Sequence, residues 1–208
     1  MSRARSRLLW VEGKDDREVI RNLWFRHSLP PDFEVEDKKG VEALLDGFPV
    51  QLRARGLGRF GIVVDADQDL SARWAAVRDR LVAEGYGSVP ETLPEKGAVL
   101  EAENLPKFGV WIMPDNSGKG AVEEFAAKLI PEGDILWNHA SDAIDRIPVA
   151  VRRFPEVRRA KALIHTWLAW QESPGSPMGQ AITKGDLDAT ASLAEAFVAW
   201  LRRLMVDE

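Results

Sequence analysis

The amino-acid sequence predicts an α/β fold, in which a mostly parallel sheet is flanked by helices and followed by a C-terminal helical extension. Strand and helix patterns alternate up to about residue 130, which is typical of a parallel sheet covered by helices. Beyond that point only helical patterns follow. We therefore expect an α/β domain over residues 1–130, and a helical extension over residues 131–208 that packs on it.

Three short apolar runs predict the buried strands of this sheet. They cover residues 7–11, 59–64 and 108–113. Runs of this length without alternation are typical of strands that are buried on both faces. Residues 33–36 instead alternate apolar and acidic side chains, which predicts a short edge strand.

Helices are predicted wherever apolar residues recur at spacings of three and four. Pro30 and Pro31 should end the first helix, Pro49 should kink or restart the second, and Ser71 should cap the third. The predicted helices cover residues 15–25, 41–55, 71–84, 121–130, 134–147, 155–171 and 186–205.

Composition excludes several classes of protein. The chain has 208 residues, a net charge of −5 and no cysteine, so disulfides, Cys-ligated zinc and thiol catalysis are excluded. The negative charge also excludes a globally basic nucleic-acid binder. No apolar stretch reaches the roughly 18 residues that a membrane span needs, and the arginine-rich N-terminus precedes too short an apolar run to be an export signal. We expect a cytoplasmic protein without a membrane partner.

Carboxylates follow two of the predicted strands. Glu12, Asp15 and Asp16 come after the first, and Asp65 and Asp67 come after the strand at residues 59–64. Parallel strands bring their carboxyl ends to one edge of the sheet, where open α/β folds bind ligands. Side chains alternate along a strand, so the two acids of Asp-x-Asp should point to the same side. Grouped carboxylates suit Mg²⁺ or Mn²⁺.

This arrangement resembles the Toprim domain of topoisomerases, bacterial primases, small nucleases and OLD-family nucleases. Its signature is a Glu that closes the first strand and is followed by Gly, with Asp-x-Asp closing a later strand. Here Glu12-Gly13 and Asp65-Ala66-Asp67 match in the same order. The whole chain also resembles a stand-alone Toprim-like bacterial family with no assigned function, in which stretches similar to residues 110–116 and 168–171 recur. The resemblance implies a Toprim-like sheet.

The resemblance also implies roles for individual residues. Glu12, Asp65 and Asp67 match the acids that bind Mg²⁺ or serve in acid–base chemistry. In OLD-type nucleases a further acid lies four residues after the first Glu, which falls on Asp16, and a Glu begins a later helix, for which Glu123 is the best match.

A second candidate for the helix-starting acid is Glu124. OLD-type nucleases also use a Lys that assists catalysis, and Lys161 is the candidate here. The implied catalytic residues are thus Glu12 and Lys161, and the implied metal ligands are Glu12, Asp16, Asp65, Asp67 and Glu123.

We therefore expect an Mg²⁺-dependent phosphoryl-transfer enzyme, most simply a nuclease acting on DNA or RNA. Cations held by carboxylates stabilise the charge that develops on the attacking and leaving oxygens. Arginines that could hold a phosphodiester backbone cluster over residues 146–161, and a second basic patch comprises Arg3, Arg5 and Arg7. The alternative is that these arginines coat a solvated helix face.

Three alternatives stay open at this stage. The acids could be helix caps and solvated loop residues. The domain could be a non-catalytic module that binds nucleic acid or protein. Asp65-Ala66-Asp67 could also be the aspartyl-phosphate motif of a haloacid-dehalogenase-type phosphatase, which leaves Glu12 unexplained. Separately, the polar stretch at residues 115–120 reads as a turn into a helix, with Asp115 as a candidate extra ligand.

Overall fold

Five strands form one sheet in the part of the chain that the structure, a computed structural model, describes, namely residues 6–29 and 33–206. The strands are β1 (Ser6–Val11), β2 (Glu34–Asp37), β3 (Leu57–Asp65), β4 (Ala98–Leu100) and β5 (Lys107–Met113). Among the same residues, eight α-helices flank the sheet. They are α1 (Lys14–Arg26), α2 (Val41–Leu52), α3 (Leu70–Ala83), α4 (Val122–Ala127), α5 (Ile135–Asp145), α6 (Arg159–Ala169), α7 (Met178–Lys184) and α8 (Ser192–Met205).

The strand order is β2-β1-β3-β5-β4, and all neighbouring pairs are parallel except β4 with β5. The predicted α/β class with a mostly parallel sheet is therefore confirmed. The acid-bearing strands β1 and β3 are neighbours, with Val11 opposite Val63, so their carboxyl ends lie side by side. The antiparallel strand β4 was not predicted, because three residues are too few to show a periodic pattern.

Successive side chains of each central strand point into two separate cores. Leu9 and Val11 of β1 belong to one core, which includes residues of α1, α4, α6, α7 and α8. Leu8 and Trp10 belong to the other core, which includes residues of α2 and α3. The helices after residue 131 thus contribute to the core on one face of the sheet only. This face also carries α1 and α4, whose first turns bear acids.

Helix α8 approaches the sheet closely because two central strands carry glycine beneath it. A Cβ on Gly61 would lie 2.6 Å from Leu204 Cδ2, and one on Gly109 would lie 2.4 Å from the same atom. Leu204 is fully buried. The two glycines, which are neighbours across β3 and β5, therefore give the helix room to pack on the strands.

Several predicted helix boundaries differ from the structure. The third helix is capped by Asp69, whose Oδ1 accepts a hydrogen bond from the Ala72 amide at 2.9 Å, and not by Ser71. Pro49 lies inside α2, which ends at Leu52 without a restart. The predicted break at Pro30 and Pro31 lies outside the described residues.

The predicted helix at residues 155–171 begins as a 3₁₀ turn, Glu156–Arg158, before α6. The one predicted at residues 186–205 starts only at Ser192, and the short helix α7 before it was missed. In the described ranges, no helix combines the length and the apolar character needed to cross a membrane.

Candidate functional site

A cleft of about 550 Å³ opens at the carboxyl ends of β1 and β3, and we call it the acidic cleft. Five carboxylates and three lysines line it. Its lining residues are Glu12, Gly13, Lys14, Asp15, Asp16, Lys39, Gly40, Asp65, Val122, Glu123 and Lys161. Four of the five predicted metal ligands and both predicted catalytic residues therefore lie at one cleft.

The first strand and the helix after it position Glu12 and Asp16. β1 ends at Val11 and α1 begins at Lys14, so Glu12 and Gly13 alone make the turn. Asp16 falls in the first turn of α1, and 4% of its surface is exposed. Its Oδ1 is buried without a hydrogen-bond partner. An unpartnered buried carboxylate oxygen is costly, so Asp16 is poorly satisfied by the protein alone.

Asp65 is the last residue of β3 and lies beside Glu12. Its backbone amide donates a hydrogen bond to Glu12 Oε1 at 2.8 Å, which ties the two strand ends together. The Oδ1 of Asp65 is also buried without a partner. Two carboxylates of the acidic cleft thus each present an unsatisfied buried oxygen.

Glu123 lies in the predicted α/β domain and Lys161 lies in the predicted helical extension after residue 130. The two side chains meet in the cleft. Glu123 lies in the first turn of α4 and is buried. Lys161, on α6, donates to Glu123 Oε1 at 2.8 Å and lies 3.4 Å from Asp15 Oδ2. This amine therefore already neutralises part of the negative charge of the cleft.

Burial and mutual repulsion raise the pKa of three carboxyls in the cleft. Desolvation, followed by repulsion from Glu12, raises the pKa of Asp16 to about 7. Desolvation, followed by repulsion from Asp16 and Glu12, raises the pKa of Asp65 to about 9. The pKa of Glu12 is raised mainly by burial, against the Asp65 amide, which lowers it.

Asp67 does not line the acidic cleft, although its negative charge helps to raise the pKa of Glu12 and Asp65. β3 ends at Asp65, and Asp67 adopts a left-handed backbone with φ of 52°, so the alternation expected along a strand does not extend to it. Its side chain is 60% exposed and forms an ion pair with Arg73 at 2.7 Å. Arg73 also donates to the Asp65 carbonyl at 2.8 Å. Arg73 thus holds the Asp65–Asp67 turn from outside the acidic cleft.

Backbone pairing ties the same turn to the segment before α4. The amide of Asp67 donates to the Gly120 carbonyl at 3.0 Å, and the amide of Gly120 donates to the Asp67 carbonyl at 2.8 Å. The alternative acid Glu124 faces this segment, since its Oε2 accepts from the Ala121 amide at 2.8 Å. Glu124 is therefore occupied with starting α4, whereas Glu123 points to the cleft.

Asp115 organises a turn and does not line the acidic cleft. Its Oδ1 accepts from the amides of Ser117 and Gly118, and its Oδ2 is paired with Lys128. Burial alone would raise the pKa of Asp115, but the bonds from Lys128, Ser117 and Gly118 outweigh it and lower the pKa to about 2. A carboxylate so fully engaged contributes to the fold of the loop.

The arginine cluster at residues 146–161 is largely paired with neighbouring acids. Arg159 forms an ion pair with Asp145 at 2.6 Å, and Arg152 with Glu156 at 2.8 Å. The N-terminal Arg3 and Arg5 lie outside the described residues. These ion pairs agree with the alternative in which the arginines coat a solvated helix face.

The acidic cleft offers carboxylate oxygens, and hard oxygen ligands of this kind are what Mg²⁺ prefers. The unpartnered oxygens of Asp16 and Asp65 fit such an ion. Within residues 6–29 and 33–206, however, no three His, Cys, Asp or Glu side chains are already placed to hold a metal. Glu12 is engaged by a backbone amide and Glu123 by Lys161.

Sequence reasoning missed three basic residues of this region. Lys14 and Lys39 line the cleft, and Arg73 braces the turn after β3. Lys14 lies inside the Glu12–Asp16 motif, so its position was available from the sequence. Nothing in the sequence marks Lys39, because its place depends on how α2 packs beside β1.

Comparisons with known proteins give a family and no function. A family model described as "Protein of unknown function (DUF3226)" matches residues 6–206. Searches of curated proteins and of solved structures returned no match.

Proposed function

The chain belongs to the DUF3226 family, and from its acidic cleft we propose that it is an Mg²⁺-dependent phosphoryl-transfer enzyme, a nuclease that acts on DNA or RNA. One observation carries the proposal. Asp16 and Asp65 each bury a carboxylate oxygen without a hydrogen-bond partner, and both line the same cleft. Buried acids that repel one another are stabilised when a cation binds between them.

The residues that would hold Mg²⁺ are Asp16, Asp65, Glu12 and Glu123. When bound, the ion would stabilise the negative charge that develops during phosphoryl transfer and lower the pKa of an attacking water. Asp67 lies at the margin of the site, where its ion pair with Arg73 would hold the turn after β3 in place.

Two residues would perform the chemistry beside that ion. Glu12 has one oxygen engaged by the Asp65 amide, and its raised pKa suits a group that accepts a proton at the other oxygen, Oε2. Lys161 carries a positive charge at the mouth of the cleft, where it would stabilise the leaving oxygen. When substrate binds, the Lys161 amine would release Glu123 and pair with the substrate phosphate instead.

The choice of a phosphodiester substrate rests on the Toprim resemblance of Glu12-Gly13 and Asp65-Ala66-Asp67. Lysines on the rim of an acidic cleft support it, because they attract phosphate while the carboxylates bind the cation. A reducing cytoplasm, proposed as the location, agrees with a chain that contains no cysteine.

The test is to incubate the purified protein with plasmid, single-stranded DNA and RNA in Mg²⁺ and in Mn²⁺. We expect cleavage that EDTA abolishes and that Glu12→Gln or Asp65→Asn reduces by at least about 100-fold. Asp79→Asn is the matched control, because Asp79 is an exposed acid of α3 that pairs only locally with Arg78. An absence of cleavage together with an absence of metal binding by calorimetry would refute the proposal.

A non-catalytic module that binds nucleic acid or protein is the second candidate. It is favoured by the absence, among the described residues, of three acids already placed to hold a metal. Salt-sensitive binding of an oligonucleotide without cleavage, whether or not metal binds, would support it over the enzyme.

A further inference from the structure

A second cavity adjoins the acidic cleft, and we call it the side pocket. Its volume is about 600 Å³, which is within the range of ligand sites in proteins. Glu123 of α4 and Lys161 of α6 line the acidic cleft. The residues next to them in sequence, Glu124 and Ala160, line the side pocket. Because neighbouring Cα atoms lie about 3.8 Å apart, one extended ligand can reach both cavities.

Gln68 and Lys119 line the side pocket from opposite sides of a short backbone bridge. The bridge pairs Asp67 with Gly120 in antiparallel fashion, so the next residues along the chain lie opposite each other. Both side chains are exposed, and within the described part of the chain neither forms a hydrogen bond or an ion pair. A carboxamide that donates and accepts, and an ammonium group that donates, are therefore available to a ligand.

Trp137 supplies an aromatic surface to the side pocket. Its side chain is half-buried and contacts the ring of Trp167 edge to face, with centroids 6.5 Å apart. Asp134 fixes this pair, because its Oδ1 accepts hydrogen bonds from the Trp137 amide at 2.9 Å and from the Trp167 indole at 3.3 Å. The ring of Trp137 is thus held in place by the fold, as a surface for stacking should be.

The other charged residues of the side pocket are already engaged. Glu124 accepts from the amide before α4, and Glu156 pairs with Arg152 at 2.8 Å. Arg159 pairs with an acid at the end of α5 at 2.6 Å. Lys119 is therefore the one charged lining residue that has no partner among the described residues. The side pocket favours a flat, hydrogen-bonding ring that is attached to a negative charge.

We propose that the side pocket binds an unpaired nucleobase of the strand whose phosphate lies in the acidic cleft. The base stacks on Trp137, the Gln68 carboxamide bonds to its edge, and Lys119 neutralises a neighbouring phosphate. The inference rests on the proposed function for the identity of the strand. It narrows the substrate to single-stranded or locally unpaired nucleic acid, because a base that is stacked and paired in a duplex cannot enter a pocket.

The test measures the fluorescence anisotropy of a labelled single-stranded oligonucleotide as the full chain is added, in Ca²⁺, which also binds carboxylates. A second probe of the same length carries abasic sugars in place of all its nucleosides. The wild type should bind the base-bearing strand at least about fivefold more tightly than the abasic strand, because only the former can stack. Both probes are checked for cleavage afterwards.

Variants of the lining assign this preference to the side pocket. Trp137→Leu keeps an apolar side chain but should bind both probes about equally, and Gln68→Ala, at an exposed residue, should reduce the preference in the same direction. Lys119→Gln should weaken both probes by a similar factor, because its charge acts on phosphate.

Trp170→Leu is the matched control. Trp170 follows α6, is 41% exposed and lines neither cavity, so this variant should keep the full preference. The ratio of the two affinities is taken within each variant, so a general loss of affinity does not affect the result.

The outcomes separate this inference from the proposed function. Equal binding of both probes by the wild type, or a preference that Trp137→Leu and Gln68→Ala retain, would overturn the side pocket alone, even where nucleic acid is cleaved. An equal loss of preference in Trp137→Leu and Trp170→Leu would overturn it too. A preference that depends on Trp137 and Gln68, without cleavage in Mg²⁺ or Mn²⁺, would support the side pocket and refute the nuclease. A wild type that neither binds nor cleaves nucleic acid would overturn both.

Discussion

Replacing Asp65 by Asn should change how stability depends on pH, and the direction follows from the burial of its carboxyl. The pKa of Asp65 is raised from an ordinary value of 3.8 to about 9, first by desolvation and then by repulsion from Asp16 and Glu12. The folded protein therefore retains a proton that the unfolded chain releases between about pH 4 and pH 9. Stability from this group is complete below pH 4 and is lost as the pH rises through that window.

One retained proton lowers the free energy of unfolding by about 1.4 kcal/mol for each unit of pH. Between pH 5 and pH 7 the Asp65 carboxyl alone should therefore lower the free energy of unfolding by about 3 kcal/mol. Asp16, whose pKa is raised to about 7, adds to the slope below neutral pH. Asn is a neutral amide of the same shape, so Asp65→Asn should match the wild type near pH 4 and become progressively more stable above it.

Urea denaturation in EDTA at pH 5, 6, 7 and 8 measures this effect, with the m-value checked for two-state behaviour. The stability difference between Asp65→Asn and the wild type should widen by about 3 kcal/mol from pH 5 to pH 7. Asp79→Asn, at an exposed acid, should parallel the wild type. Parallel curves for Asp65→Asn and the wild type would refute the burial and repulsion inferred for Asp65.

Further perturbations test the site and the fold. At 100 times its Kd, Mg²⁺ should stabilise the wild type by about 2.7 kcal/mol, a thermal shift that Asp65→Asn should largely lose and Asp79→Asn should keep. Lys161→Met should destabilise the metal-free protein by about 1–3 kcal/mol in urea, because buried Glu123 loses its partner; an unchanged midpoint would contradict that pairing. Gly109→Ala should cost about 1–3 kcal/mol by overpacking against Leu204, and a double-mutant cycle with Leu204→Ala should recover part of that cost; strict additivity would show that the close approach is unimportant.

Sequence patterns predicted the central sheet well because its strands are buried on both faces. β1, β3 and β5 are near-continuous apolar runs, and each was placed to within two residues at either end. Two short elements were missed, because neither the three residues of β4 nor the seven of α7 show a clear period. Both are held by tertiary packing that no local pattern reveals.

The candidate site was predictable where strand topology alone decides position. Glu12 and Asp65 end neighbouring parallel strands, so their meeting follows from the fold class. Asp67 illustrates the limit, because its position depends on where β3 ends and on Arg73, which lies on the next helix. Family resemblance alone implies a role for Lys161, and only the packing of α6 against α4 brings it to Glu123.

The energetics of the acidic cleft give a physical reason to look for a ligand there. Three carboxyls have raised pKa values, two buried oxygens lack partners, and Lys161 bonds to only one of the buried acids. A fold selected for stability alone would replace such groups with apolar side chains or complete their hydrogen bonds, as it does at Asp115. Asp65 ends β3 and Asp115 follows the adjacent strand β5, yet of these two acids only Asp65 has a buried oxygen without a partner. This contrast within one sheet edge favours a bound cation as the missing partner of Asp65. Stability curves of Asp65→Asn and the wild type, measured with and without Mg²⁺, distinguish a bound cation from a buried carboxyl that has no partner at all.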